Sequence, residues 1–89
     1  MKPGPYAVES IPARSKSQKF TKAEREKINE IGDKYGCHTC GTKPSGRSSG
    51  NWTPDHQPVS KTVPDGTPQV LLPHCKTCSA IQGGHVSHL

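Results

Sequence analysis

Two Cys-x-x-Cys pairs, one capped amphipathic stretch and two short apolar segments split by turn residues predict a small α+β domain stabilised by zinc. The pairs are Cys37-His38-Thr39-Cys40 and Cys75-Lys76-Thr77-Cys78. Four thiolates in two such knuckles describe a closed tetrahedral site. The chain has 89 residues, of which 28% are hydrophobic, and a mean hydropathy of -0.80. At that size and polarity an apolar core alone is marginal, so in this reading the metal is a requirement for folding.

Residues 1–19 carry Pro3, Gly4, Pro5 and Pro12 together with Arg14, Lys16 and Lys19, without periodicity. They predict an extended basic arm, with residues 20–89 forming a single zinc-bound domain. Thr21-Lys22-Ala23-Glu24 is a capping-box pattern, and Ile28, Ile31 and Tyr35 follow at i, i+3 and i+7. A helix is therefore expected from about Thr21 to Ile31, ended by Gly32 and Gly36. Its Lys and Glu residues read as a solvated face.

Residues 41–51 form a flexible basic loop whose Lys43 and Arg47 can meet phosphates. Asn51–Gln57 and Val70–Leu72 each read as a short strand, with turn chemistry in Pro64-Asp65-Gly66 between them. The second knuckle opens a short helix, about Cys75 to Gln82, that Gly83-Gly84 terminates. Trp52 reads as a core plug. His38 and His74 adjoin zinc cysteines and are expected to support that site from outside or to face solvent, because four thiolates already fill the tetrahedron. His88 falls at a frayed terminus.

Two disulfides are the competing use of four cysteines, but a two-residue gap suits chelation and would strain a bridge within each pair. A thioredoxin-like site needs a βαβ context, and c-type haem attachment needs His directly after the second Cys, where Gly41 and Ser79 stand. Twelve Lys and Arg against seven Asp and Glu give a net charge of +5. The resulting pI of about 9.2 suits a nucleic-acid partner, with simple solubility as the bland alternative. No apolar run approaches the ~20 residues of a membrane span, and the N-terminus lacks the apolar stretch of a signal peptide. Any export would need another carrier.

Between the knuckles lies Trp52-Thr53-Pro54-Asp55-His56-Gln57-Pro58, the candidate reactive centre. Hydrolysis of a phosphodiester needs an activated water and a cation to absorb charge on the phosphoryl oxygens. His56 can be the base, since an imidazole is largely neutral near pH 7, and Asp55 is a hard oxygen ligand suited to Mg²⁺ or a similar ion. Successive strand side chains point to opposite faces, so a bulge or turn at Pro54 is expected to bring both to one phosphate. Lys61 and Lys76 join Lys43 and Arg47 as phosphate contacts. The bland alternative is that His56 bonds a backbone carbonyl and Asp55 caps a turn.

This layout resembles the HNH nucleases, notably the endonuclease VII-like branch with a treble-clef zinc site and a ββα-metal unit. Gly-Pro-Tyr-Ala (4–7), Glu-Ser-Ile-Pro-Ala-Arg (9–14), Gly-Cys-His-Thr-Cys-Gly (36–41), Pro-Asp-His-Gln-Pro (54–58) and Cys-Ser-x-x-Gln-Gly-Gly (78–84) also look like C-terminal toxin domains of bacterial polymorphic toxins such as Rhs-repeat proteins. The resemblance implies a metal-dependent endonuclease of nucleic acid, with DNA ranked ahead of RNA but the two not decided by the sequence, that is delivered into the cytoplasm of a competing cell. It also implies a cognate immunity protein, for which an acidic surface would suit the basic chain. In that family the residue after the last cysteine is an Asn that helps Asp hold the catalytic ion, whereas this chain has Ser79. Gln82, one helical turn further on, is the first substitute as a ligand, Ser79 the second and His85 the third.

Two other functions remain open on the residues. One is a non-catalytic zinc module that binds nucleic acid or protein. The other is a zinc-dependent nucleobase deaminase, which needs His-x-Glu and Pro-Cys-x-x-Cys; no Glu lies two residues after a His here, and His74 separates Pro73 from Cys75. A two-His zinc finger fails because no second His follows His56 at the required gap.

Overall fold

The computed structural model describes residues 4–86, with residues 85 and 86 described by backbone alone. The elements follow in the order β1 (Ile11–Pro12), α1 (Lys22–Tyr35), β2 (Thr53–Gln57), a 3-10 turn (Ser60–Thr62), β3 (Val70–His74) and α2 (Lys76–Val86). The described residues form a small α+β domain: one three-stranded antiparallel sheet in the order β1-β3-β2 and two helices, with four cysteines brought close together. Among the described residues no helix is long and apolar enough to cross a membrane.

The expected capping box starts α1: the Glu24 amide donates to Thr21 Oγ1 (3.1 Å) while Glu24 Oε1 accepts from the Thr21 amide (2.8 Å). Ile28 and Ile31 bury one face of the helix against Leu71 of β3 and Trp52, which forms the core. The helix does not stop at Ile31 as expected. It continues through Gly32 to Tyr35, because Gly32 is a packing residue: a Cβ there would lie 2.4 Å from the Trp52 ring. Gly36, with φ of 83°, makes the cap. Trp52 is the expected plug, tied by its ring N–H to Asp33 Oδ1 (3.0 Å) and by its amide to Asn29 Oδ1 (2.8 Å).

β2 and β3 pair without interruption from Thr53↔His74 to Gln57↔Val70. The bulge expected at Pro54 does not form. Pro54 lies opposite Pro73, and two residues without N–H groups can face each other only where the ladder has no bonds to lose. Alternation therefore holds along β2, and β2 ends at a cis Gln57–Pro58 bond.

The segment expected to be an extended arm is bound to the domain. Ile11 and Pro12 pair with Leu71 and Val70, and the Ala13 amide donates to the Gln69 carbonyl (3.0 Å). Arg14 grips Glu24 at 3.1 and 3.3 Å. The second helix also exceeds its expected end. It passes through Gly83 and Gly84 to Val86, since a glycine costs only about 1 kcal/mol in a helix that is already nucleated.

Candidate functional site

The first knuckle is shaped by Gly36 and Gly41, whose φ angles of 83° and 76° let the chain turn back. The second opens α2, where the Ser79 amide donates to the Cys75 carbonyl (2.9 Å). The sulfurs of Cys37, Cys40, Cys75 and Cys78 lie within 4.8 Å of one another. Cys40 and Cys75 are 3.8 Å apart, the separation that metal–sulfur bonds of about 2.3 Å produce across a tetrahedron. Burial pushes the Cys37 thiol up, but backbone N–H groups of Cys75, Cys40 and Thr39 outweigh it and hold the thiol down at about 7. Burial and the neighbouring Cys40, Cys75 and Cys37 sulfurs push the Cys78 thiol well up. Sulfurs this close do not all ionise unless a cation joins them. The four cysteines are thus positioned to hold a metal ion, compatible with zinc.

Beside this cluster lies a second one that the sequence reading did not assemble. His38 is 1% and His74 2% exposed, so neither faces solvent. Their rings stack with centroids 4.6 Å apart, and both border the carboxylate of Asp55. The Gly4 amide donates to His38 Nδ1 (2.9 Å), which leaves the proton on Nε2 to be donated to Asp55 Oδ2 (2.9 Å). His74 Nδ1 is 3.7 Å from the same oxygen. Gln57 donates to Oδ2 and Gln82 to Oδ1, each at 2.6 Å. Burial opposes ionisation of Asp55, but the hydrogen bonds of His38 and Gln57, the charge of His74 and the amide of Gln82 hold its carboxyl below the ordinary value. Burial also pushes His74 down.

A signal for this cluster was present in the spacing. His38 directly follows Cys37 and His74 directly precedes Cys75, so whatever draws those two cysteines together draws the imidazoles together as well.

His56 projects to the other face of the sheet, toward Phe20, whose ring centroid is 5.6 Å away. Its Nε2 lies 2.8 Å from the Ser15 carbonyl. A carbonyl only accepts, so Nε2 carries the proton and Nδ1 is the acceptor, approached by Gln18 Nε2 at 3.4 Å. The backbone-carbonyl contact of the bland reading is therefore present. The two neighbours meet again at the open edge of β2, where a groove of about 290 Å³ is lined by both Asp55 and His56 and by Gln18, Lys61, Ser79 and Gln82.

Of the expected helix ligands, Gln82 reaches Asp55, Ser79 lines the groove, and the side chain of His85 lies outside the described residues, as does His88. Among the expected phosphate contacts Lys61 lines the groove, while Lys43, Arg47 and Lys76 are exposed and do not line it. Arg47 is engaged by Thr53 Oγ1 (3.0 Å). No family model, no curated protein and no solved structure matches this chain. What fold and site define is the class: a small α+β domain with a four-cysteine cluster positioned to hold a metal ion.

Proposed function

We propose that this domain is a metal-dependent endonuclease whose catalytic groove lies along the edge of β2. The observation that carries the reading is the convergence of Asp55, His56, Gln82, Ser79 and Lys61 on one groove beside the cysteine cluster. His56 has the arrangement of a positioned general base: the Ser15 carbonyl fixes the proton on Nε2 and leaves Nδ1 free to take one once Gln18 gives way. Asp55, kept ionised by its partners, and Gln82 would hold a divalent ion such as Mg²⁺. When bound, that ion supplies positive charge to the phosphoryl oxygens and the leaving group. Lys61 binds the phosphate backbone, and the net charge of +5 draws nucleic acid to the groove.

The motifs shared with endonuclease VII-like HNH nucleases favour a treble-clef arrangement around structural zinc and a DNA substrate. Their likeness to polymorphic toxin domains favours action in the cytoplasm of a target cell, restrained in the producer by an immunity protein. A second reading, a zinc module that binds without catalysis, is favoured by the burial of His56, which is 4% exposed with both ring nitrogens contacted.

Plasmid digestion with added divalent ion separates the two. The expected result is cleavage by the wild type and a loss of at least ~100-fold in His56→Ala, with zinc content and circular dichroism unchanged. Equal cleavage by both proteins, or none by either, removes the nuclease reading.

A further inference from the structure

His74 carries a buried nitrogen that the proposed chemistry does not use. Its Nε2 is 3.0 Å from Thr39 Oγ1, but Nδ1 has no hydrogen-bond partner although the residue is 98% buried, and Gln57 Oε1 nearby is likewise unpartnered. Leaving such an atom unpaired costs roughly 1–3 kcal/mol, so its position calls for a reason. Nδ1 lies 3.7 Å from Asp55 Oδ2, too far for a hydrogen bond. Donors on a common divalent ion, with bonds of about 2.1 Å at the tetrahedral angle, stand about 3.4 Å apart, within a few tenths of an ångström of that separation.

We infer that His74 Nδ1 and Asp55 together bind a divalent transition-metal ion, at a site distinct from the four cysteines. The inference deepens the proposed function and rests on that reading for what the ion does, whereas binding itself is read without activity. An imidazole beside a carboxylate selects Mn²⁺, Co²⁺, Ni²⁺ or Zn²⁺ over Mg²⁺ and Ca²⁺, which prefer oxygen donors alone. Thr39 suits the role: its hydroxyl can accept a hydrogen bond from Nε2–H, the tautomer that leaves the Nδ1 lone pair for an ion. His38 is close enough to be counted with them, but Gly4 holds its proton on Nε2, so it orients the carboxylate and does not ligate. The Gln82 amide donates to the other carboxylate oxygen (2.6 Å) while its own oxygen accepts from Gln57 (3.1 Å); giving up those two bonds, it can turn that oxygen inward as a third donor.

The test uses the full chain, already loaded with one equivalent of zinc. A second equivalent of Zn²⁺ is added while the ring nitrogens are followed by long-range ¹H–¹⁵N spectra. The expected result is uptake of that equivalent with a shift at Nδ1 of His74 and none at either nitrogen of His56. Uptake that leaves His74 Nδ1 unmoved, or no uptake, overturns the inference.

Mn²⁺ binding followed by electron paramagnetic resonance gives a second measure, expected to weaken at least tenfold in Asp55→Asn and in His74→Gln with zinc retained. Undiminished Mn²⁺ affinity in either variant also overturns it. Binding at His74 by a protein that cleaves nothing supports this site and removes the nuclease reading.

Discussion

Gly32 lies flat against the indole of Trp52, so close that a single added carbon at Gly32 would sit 2.4 Å from three ring atoms. Propensity alone makes Gly32→Ala stabilising by about 1 kcal/mol. Overpacking of a fixed ring reverses the sign, and the variant should lose about 1–3 kcal/mol in urea unfolding. A more stable variant would show that the ring moves aside.

Removal of the metal should cost the fold, because apart from the cysteines and Pro73 the buried apolar side chains among the described residues are only Ile28, Ile31, Trp52, Val59, Leu71 and Leu72. Ligation free energies of structural zinc are on the order of 10–16 kcal/mol, more than a domain of this size holds in reserve. Chelator treatment, or Cys37→Ser, is expected to abolish the cooperative thermal transition seen by circular dichroism. A metal-free, reduced protein that melts as the loaded one does would contradict this.

Of four basic residues singled out in the sequence, only Lys61 lines the groove. Lys61→Ala should weaken binding of a nucleic-acid oligomer and reduce the slope of log affinity against log salt by about 1. Lys43→Ala and Lys76→Ala should change both less. Equal effects from all three would place the contact elsewhere.

The ion pair of Arg14 with Glu24 can be read by titration. The side-chain bond from Arg14, followed by the Thr21 amide, lowers the Glu24 carboxyl to about 2. A depressed carboxyl contributes stability that is complete above the ordinary Glu range and disappears as pH falls toward 2. Carbon NMR at pH ~4.3, where an unperturbed Glu is half protonated, should find Glu24 ionised in the wild type. In Arg14→Gln it should be substantially more protonated; an unchanged resonance would remove Arg14 as the cause.

The capping box, the two knuckles, both strands of the hairpin and the role of Trp52 were legible in the sequence, because each rests on local chemistry or fixed spacing. What escaped depended on distant partners. Ile11–Pro12 has no periodicity of its own and becomes a strand only because β3 offers an open edge. Gly32 was read as a stop signal since only Trp52, far along the chain, turns it into a contact. The supposed bulge at Pro54 disappeared once Pro73 proved to be its partner. His38 and His74 are drawn together by their spacing from Cys37 and Cys75, but their union through Asp55 needs the folded strand between the knuckles.

The N-terminal stretch that runs from Gly4 to Ser15 fastens a different histidine at each end: the amide of Gly4 selects the tautomer of His38, and the carbonyl of Ser15 that of His56. A peptidase nick within that lacing would leave every cysteine untouched and yet release both protons from their assigned nitrogens. In the proposed nuclease, such clipping would cost activity before it cost the cysteine cluster.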